Sequence, residues 1–321
     1  MRYFQIIKPI VFLLCLLLLC AGCANQQRPQ AEPSAAGYEV RDGQGNVLKL
    51  RGKPQRIISL SVSTDEILLG LVPSGRIAAL TYLADDGGLS NITEQAKAVP
   101  ARIRANPEVV IALQPDLVIV PDWQPLEFVQ TVRDAGFPVY IYQWPNSIEE
   151  IKNVILEIAR AVGEPEAGAK LVADMDNTLA EVVDRVRPIP DSQRPVVVRF
   201  SLMGGSDGKG TTFDDICQYA GVKNGAALAG LGMNDILSKE QLVKVNPDIL
   251  LMPTWDYTGK TDMAQFAADI QNDPALQSVK AIRRQQLVSI PERYLVCTSQ
   301  YIVWGVKNLA SYAYPQYFPE K

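Results

Sequence analysis

Apolar residues return at three- and four-residue steps in Leu171, Met175, Leu179, Val182, Val183 and Val186, a spacing that lines one face of a helix. The pattern predicts one long helix over Pro165–Val186, which at about 1.5 Å per residue runs roughly 33 Å. On both sides of it short apolar runs alternate with amphipathic stretches. Before it come a strand pair over Tyr38–Leu50 and strands at Arg56–Leu60, Arg76–Leu80, Leu117–Val120 and Pro138–Tyr142. Helices open after Ser63 or Thr64, near Pro107, near Pro125 and at Ser147, where Glu150 stands three residues on as in a capping box. After it come strands at Val196–Phe200, Ile249–Met252 and Leu287–Ile290, with helices from Phe213, from Lys239 and over Ser299–Tyr312. This alternation predicts mostly parallel sheets, whose ligands sit beyond the carboxyl ends of the strands. The polar stretch Thr81–Ala105 predicts a long functional loop.

The two flanks are copies of one unit. Glu108, Pro115, Asp116, Pro121 and Trp123 recur at identical spacing as Glu240, Pro247, Asp248, Pro253 and Trp255. Upstream, Asp65, Glu66 and Ile67 pair with Asp214, Asp215 and Ile216. The expected fold is therefore α/β, with two Rossmann-like lobes, residues 38–163 and 188–321, joined by one long helix over 164–187.

Composition fixes the address. Arg2 and Lys8 precede an apolar run from about Ile10 to Leu19, too short to cross a bilayer and suited to an export signal over residues 1–22. Cys20, Ala21, Gly22 and Cys23 resemble the bacterial lipoprotein cleavage box, which makes Cys23 the lipidated first residue. Residues 23–37 are small and polar and read as a flexible tether. The sequence contains no histidine, which removes the commonest general base, the commonest zinc ligand and the usual haem ligand. Loss of Arg2 and Lys8 turns 31 basic and 35 acidic residues into 29 and 35, a net charge of −6, which argues against nucleic acid. Cys217 and Cys297 remain, as a disulfide or as two separate buried thiols.

The segments RIISLSVSTDEILLGL, NPEVVIALQPDLVIVPDW and SKEQLVKVNPDILLMPTW, with the single connecting helix, resemble the ferric-siderophore and cobalamin type of periplasmic substrate-binding protein. That resemblance implies two rigid lobes with limited hinge closure, a small-molecule ligand in the cleft, and delivery to the permease of an ABC importer with its ATPase. It implies docking of Glu108 and Glu240 on permease arginines, although each carboxylate also suits the positive end of its own helix. A monomer anchored to the membrane through lipid is expected, with no catalytic residues, no cofactor and no bound structural metal.

Strand-end loops offer Ser61, Thr81, Tyr82, Arg102, Arg104 and Trp123 from the first lobe, and Arg199, Met203, Trp255, Tyr257, Arg293 and Tyr294 from the second. Aromatic rings supply flat apolar contact, and arginines fork onto anionic oxygens. Relatives that hold ferric siderophores often carry an arginine shortly before the docking glutamate, as Arg102 and Arg104 precede Glu108. The expected ligand is a ferric siderophore; the alternatives are a corrinoid, then haem, or a sensor that signals without import. Met203–Thr212 looks like a phosphate loop but lacks its Gly-Lys-Ser/Thr ending. An extracellular enzyme would have to draw on Asp85, Asp86 and Asp122 as acid and base, without a nucleophile or metal cluster beside them.

Overall fold

A computed structural model describes residues 37–202 and 207–319. The export signal, Cys23, the tether up to residue 36 and Met203 lie outside them.

A hairpin of β1 (Tyr38–Arg41) and β2 (Val47–Leu50) leads into the first lobe. There β3 (Ile57–Ser59), β4 (Ile77–Thr81), β5 (Arg102–Ile103), β6 (Leu117–Pro121) and β7 (Val139–Tyr142) form a parallel sheet in the order β5-β4-β3-β6-β7. The helices between them are α1 (Val62–Leu71), α2 (Thr93–Ala96), α3 (Pro107–Ala112) and α4 (Leu126–Asp134). After β7 come α5 (Ile148–Ala161) and the long helix α6 (Pro165–Val186), which starts on a proline as the fixed φ of that residue favours. The second lobe runs β8 (Val196–Arg199), α7 (Thr212–Tyr219), β9 (Lys223–Asn224), α8 (Gly225–Leu228), α9 (Lys239–Val245), β10 (Ile249–Met252), α10 (Met263–Asn272), α11 (Lys280–Arg283), β11 (Leu287–Ser289), α12 (Glu292–Leu295) and α13 (Ile302–Ala313). Its parallel sheet has the order β9-β8-β10-β11, the order of β4-β3-β6-β7 in the first.

The duplicated Pro-Asp step has one structural job in both lobes. Asp116 accepts from the Arg56 amide at 2.8 Å and returns its own amide to the Arg56 carbonyl at 3.1 Å. Asp248 does the same with Val196, at 3.0 and 2.8 Å. Each staple sets the register of the two central strands, Ile57 opposite Leu117 and Val197 opposite Ile249. Side chains then alternate between faces with the strand period of two. Ile57, Leu117, Ile119, Val197, Ile249 and Leu251 enter a core shared with Met175, Leu179, Val182 and Val186 of α6. Ile58, Val118 and Val120 face a second core, and Val198, Leu250 and Met252 a third. The long helix thus buries one stripe against both sheets.

Several local expectations change. The cap of α1 is Ser61, whose Oγ accepts from the Thr64 amide at 3.1 Å; Ser63 turns to the second lobe, where Thr298 donates to it through N and Oγ1 at 3.1 and 2.8 Å. The upstream acids fall one residue out of step, since Asp65 stands four residues after its cap and Asp214 three after Thr211. Ser147 caps α5, but Glu150 reaches the amide of Asn146 rather than that of Ser147, whereas Ser238 and Gln241 make a full capping box on α9. The stretch 81–105 is an ordered wall holding a 3-10 turn over Tyr82–Asp85, α2 and β5. Cys217 and Cys297 are separate buried thiols.

Candidate functional site

In the first sheet, β3 connects outward to β4 on one side and lies beside β6 on the other, so the loops after β3 and β6 diverge and leave a crevice at their carboxyl ends. A cavity of about 580 Å³ lies there, within the usual range for small-molecule sites. Ser61, Thr81, Tyr82, Arg104 and Trp123, all nominated from the sequence, line it from the first lobe, and Tyr257 from the second. Leu60, Leu83, Leu89, Gln124, Phe128 and Trp144 add to the first wall, and Val296 to the second. Strand-end logic would also have found Trp144, two residues after β7 as Trp123 is two after β6.

The wall is chiefly aromatic and aliphatic. Trp123 meets Trp144 edge to face with ring centroids 5.8 Å apart, and Trp144 stacks on Tyr142 at 6.5 Å. Trp123 is 55% exposed and Tyr257 67%, so both present free apolar surface. Arg104 lies over the Tyr82 ring, its Cζ 3.5 Å from the centroid, a cation-π contact that holds the guanidinium at the rim. Hydrogen bonding with Tyr82 raises the pKa of the Tyr257 phenol, and Arg104 opposes that rise. Ser61 is already occupied, within 2.7 Å of Thr64 Oγ1 and 2.9 Å of the Tyr142 hydroxyl.

The other nominated residues among those described lie elsewhere. Arg102 forks onto Asp85, with both contacts at 2.9 Å. Arg199 is buried between Asp207 and Glu292, hydrogen-bonded to both; these carboxylates hold its proton firmly against desolvation. Trp255 and Arg293 bind the loop at Asp86 and Gly87. Tyr294 lines a smaller hollow of about 220 Å³ with Asn91 and Trp304. The three carboxylates considered for acid-base work have structural partners: Asp85 as above, Asp86 with Trp255, and Asp122 with the Trp144 amide at 3.2 Å. Among the described residues no cluster of three or more Cys, Asp or Glu could hold a metal ion.

Glu108 and Glu240 occupy matching exposed places, each in the first turn of a short helix after the caps Asn106 and Ser238. Its own backbone amide and the Ser238 hydroxyl hold the Glu240 carboxyl below the usual value.

Two lobes on one long helix, with a cleft at the strand ends, describe a solute-binding clamp. The chain belongs to the periplasmic binding protein family, whose profile matches residues 57–294. It is similar to the uncharacterized ABC transporter substrate-binding lipoprotein YvrC of Bacillus subtilis, 23% identical across 96% of this chain and 97% of that protein. A cobalamin-binding protein of Halobacterium salinarum is 27% identical over 215 residues, 65% of this chain and 57% of that protein. Among solved structures, the periplasmic heme-binding protein RhuT from Roseiflexus sp. RS-1 in apo form superposes with a TM-score of 0.70 at 25% identity, over 82% of this chain and 99% of that one.

Proposed function

We propose that the protein is the extracytoplasmic substrate-binding component of an ABC importer, anchored through a lipid on Cys23, and that its cleft captures a bulky corrinoid. The observation that carries the ligand class is the wall itself, in which Tyr82, Trp123, Phe128, Trp144 and Tyr257 surround the cavity with, among the described residues, a single cation, Arg104, at its rim. An anionic ferric siderophore, expected from four arginines, would need several of them turned inward. Arg102, Arg199 and Arg293 are engaged with Asp85, with Asp207 and Glu292, and with Gly87. A corrinoid has a broad apolar ring face and a polar periphery, which suits aromatic surface with few charges. The likeness to the cobalamin-binding protein supports the corrinoid, and that to the substrate-binding lipoprotein supports the lipid-anchored importer component. Arg104 favours a second one, an iron chelate with a single exposed anionic edge.

Trp123 and Trp144 supply the assay. Titration of the purified protein with cyanocobalamin should quench tryptophan emission to saturation. Saturable quenching only by haemin or by a ferric chelate would replace the corrinoid, and silence towards all three would reject the cleft as the site. Glu108 and Glu240 supply the test of import: the double Glu108→Ala, Glu240→Ala variant should bind ligand normally and fail to support uptake in cells. Unchanged uptake would remove both residues from permease docking.

A further inference from the structure

Arg102, Trp255 and Arg293, nominated separately as ligand contacts, converge on one loop, residues 85–88 at the cleft rim. Within the first lobe Arg102 fixes Asp85 through two bonds of 2.9 Å. From the second lobe, Trp255 Nε1 donates to Asp86 Oδ2 at 2.9 Å, and Arg293 Nη1 donates to the Gly87 carbonyl at 2.7 Å. Asn91 Nδ2, just beyond the loop, donates to the Arg293 carbonyl at 2.9 Å. The remaining Asp86 oxygen accepts from the Gly88 amide at 2.9 Å and curls the loop so that the indole rests on Gly88. A Cβ placed on Gly88 would stand 2.2 Å from Trp255 Cδ1, whereas one on Gly87 would meet nothing within 4 Å. The close approach therefore depends on one particular glycine.

The loop is continuous with the cavity wall. Tyr82 and Leu83 precede it, Leu89 follows it, and Tyr257 stands two residues beyond Trp255. Whatever holds the loop to the second lobe also sets how far Tyr82 stands from Tyr257.

We propose that Trp255, Asp86 and Gly88 form an interlobe clasp that fixes the width of the cleft before any ligand arrives. Trp255 is then a positioning residue: it acts on ligand through Tyr82 and Tyr257 and touches the opposite lobe instead of the guest. The tryptophans at matched places in the two copies have divided the work, Trp123 facing the cavity and Trp255 closing the frame.

The clasp is tested without ligand, in 5-fluorotryptophan-labelled protein by fluorine NMR and small-angle X-ray scattering. The chain has four tryptophans, and Trp255→Phe assigns the clasp resonance. Gly88→Ala should move that resonance towards its solvent-exposed position, shift those of Trp123 and Trp144, and enlarge the radius of gyration. Gly87→Ala should leave all of these unchanged. The proposal is overturned if Gly88→Ala matches the wild type, or if it moves the Trp255 signal alone while the cleft signals and the scattering stay put. Should Gly88→Ala fail to fold, Trp255→Phe decides, because it keeps a ring in place but has no donor for Asp86: an enlarged radius supports the clasp, and an unchanged one rejects it.

Discussion

Replacing Glu66 by glutamine should remove a pH dependence of folding stability that the wild-type chain carries between about pH 4.5 and 7. Glu66 is fully buried at the seam between the lobes. One carboxylate oxygen accepts from Asn91 N and Nδ2 at 2.8 and 2.9 Å, the other from the Ser299 hydroxyl of the second lobe. Those bonds favour the anion, but desolvation outweighs them and lifts the pKa from 4.5 to about 7. The titratable groups facing it are Asp65, Cys297 and Tyr301, none of which is a cation. An acid whose pKa is higher in the folded state binds protons more tightly there. Its contribution to stability is therefore best below the unfolded pKa, falls as the pH rises, and levels off above the folded pKa. A rise from 4.5 to about 7, at about 1.4 kcal/mol per unit, amounts to roughly 3 kcal/mol. Glutamine keeps an acceptor for Asn91, presents an amide to Ser299 Oγ, and does not titrate. Urea unfolding at several pH values should find the two proteins close in stability at pH 5, and Glu66→Gln firmer by up to about 3 kcal/mol at pH 8. Asp65, also raised by burial, is present in both proteins and largely cancels in the difference. A gap between variant and wild type that stays constant with pH would refute the reasoning.

Two further predictions concern the frame. Asp116→Ala and Asp248→Ala each remove one staple and should cost about 1–2 kcal/mol in chemical denaturation, with similar losses because both make the same exchange with a central strand; a large loss in one and none in the other would deny the shared role. Gly168→Ala would gain about 1 kcal/mol on helix propensity alone, but its Cβ would sit 2.4 Å from that of Ala159 where α5 meets α6. Overpacking of about 1–3 kcal/mol should win, and a higher melting temperature in the variant would show that the two helices separate easily.

The elements legible in the sequence are those whose own residues carry the signal. Pro165–Val186 combines a favoured first residue with an unbroken apolar stripe, and the structure places the helix over that same range. Strands β6 and β10 are short apolar runs before a proline, and both are fully buried. Helix α10 leaves no such signal because it contributes no buried residue, and β5 leaves none because two residues make no period. At the site, residue type and strand-end position place Ser61, Thr81, Tyr82, Arg104, Trp123 and Tyr257 around one cavity. They could not tell Arg104 from Arg102, Trp255 or Arg293, since what separates these is a partner chosen by the fold. Asp85 lies 17 residues from Arg102, Asp86 lies 169 from Trp255, and Gly87 lies 206 from Arg293. A sequence displays an arginine's charge but not the carboxylate that neutralises it.

The same limit explains why the described residues of the duplicated lobes line the cavity unequally. Ser59 pairs in register with Ile119, and Arg199 with Leu251, so serine and arginine hold equivalent places at the ends of the two central strands. Ser59 is small and fully buried, and its hydroxyl donates back to the Ser61 carbonyl at 3.2 Å. Arg199 cannot be buried alone; it draws in Asp207 and Glu292, and Glu292 is fixed in turn by its own amide donating to Thr254 Oγ1 at 2.8 Å. A buried ionic cluster thus stands at the strand end of the second lobe where the first has a serine. Among the described residues, Tyr257 and Val296 reach the cavity from that lobe. The clasp through Trp255 then sets the distance of that lobe from the aromatic wall.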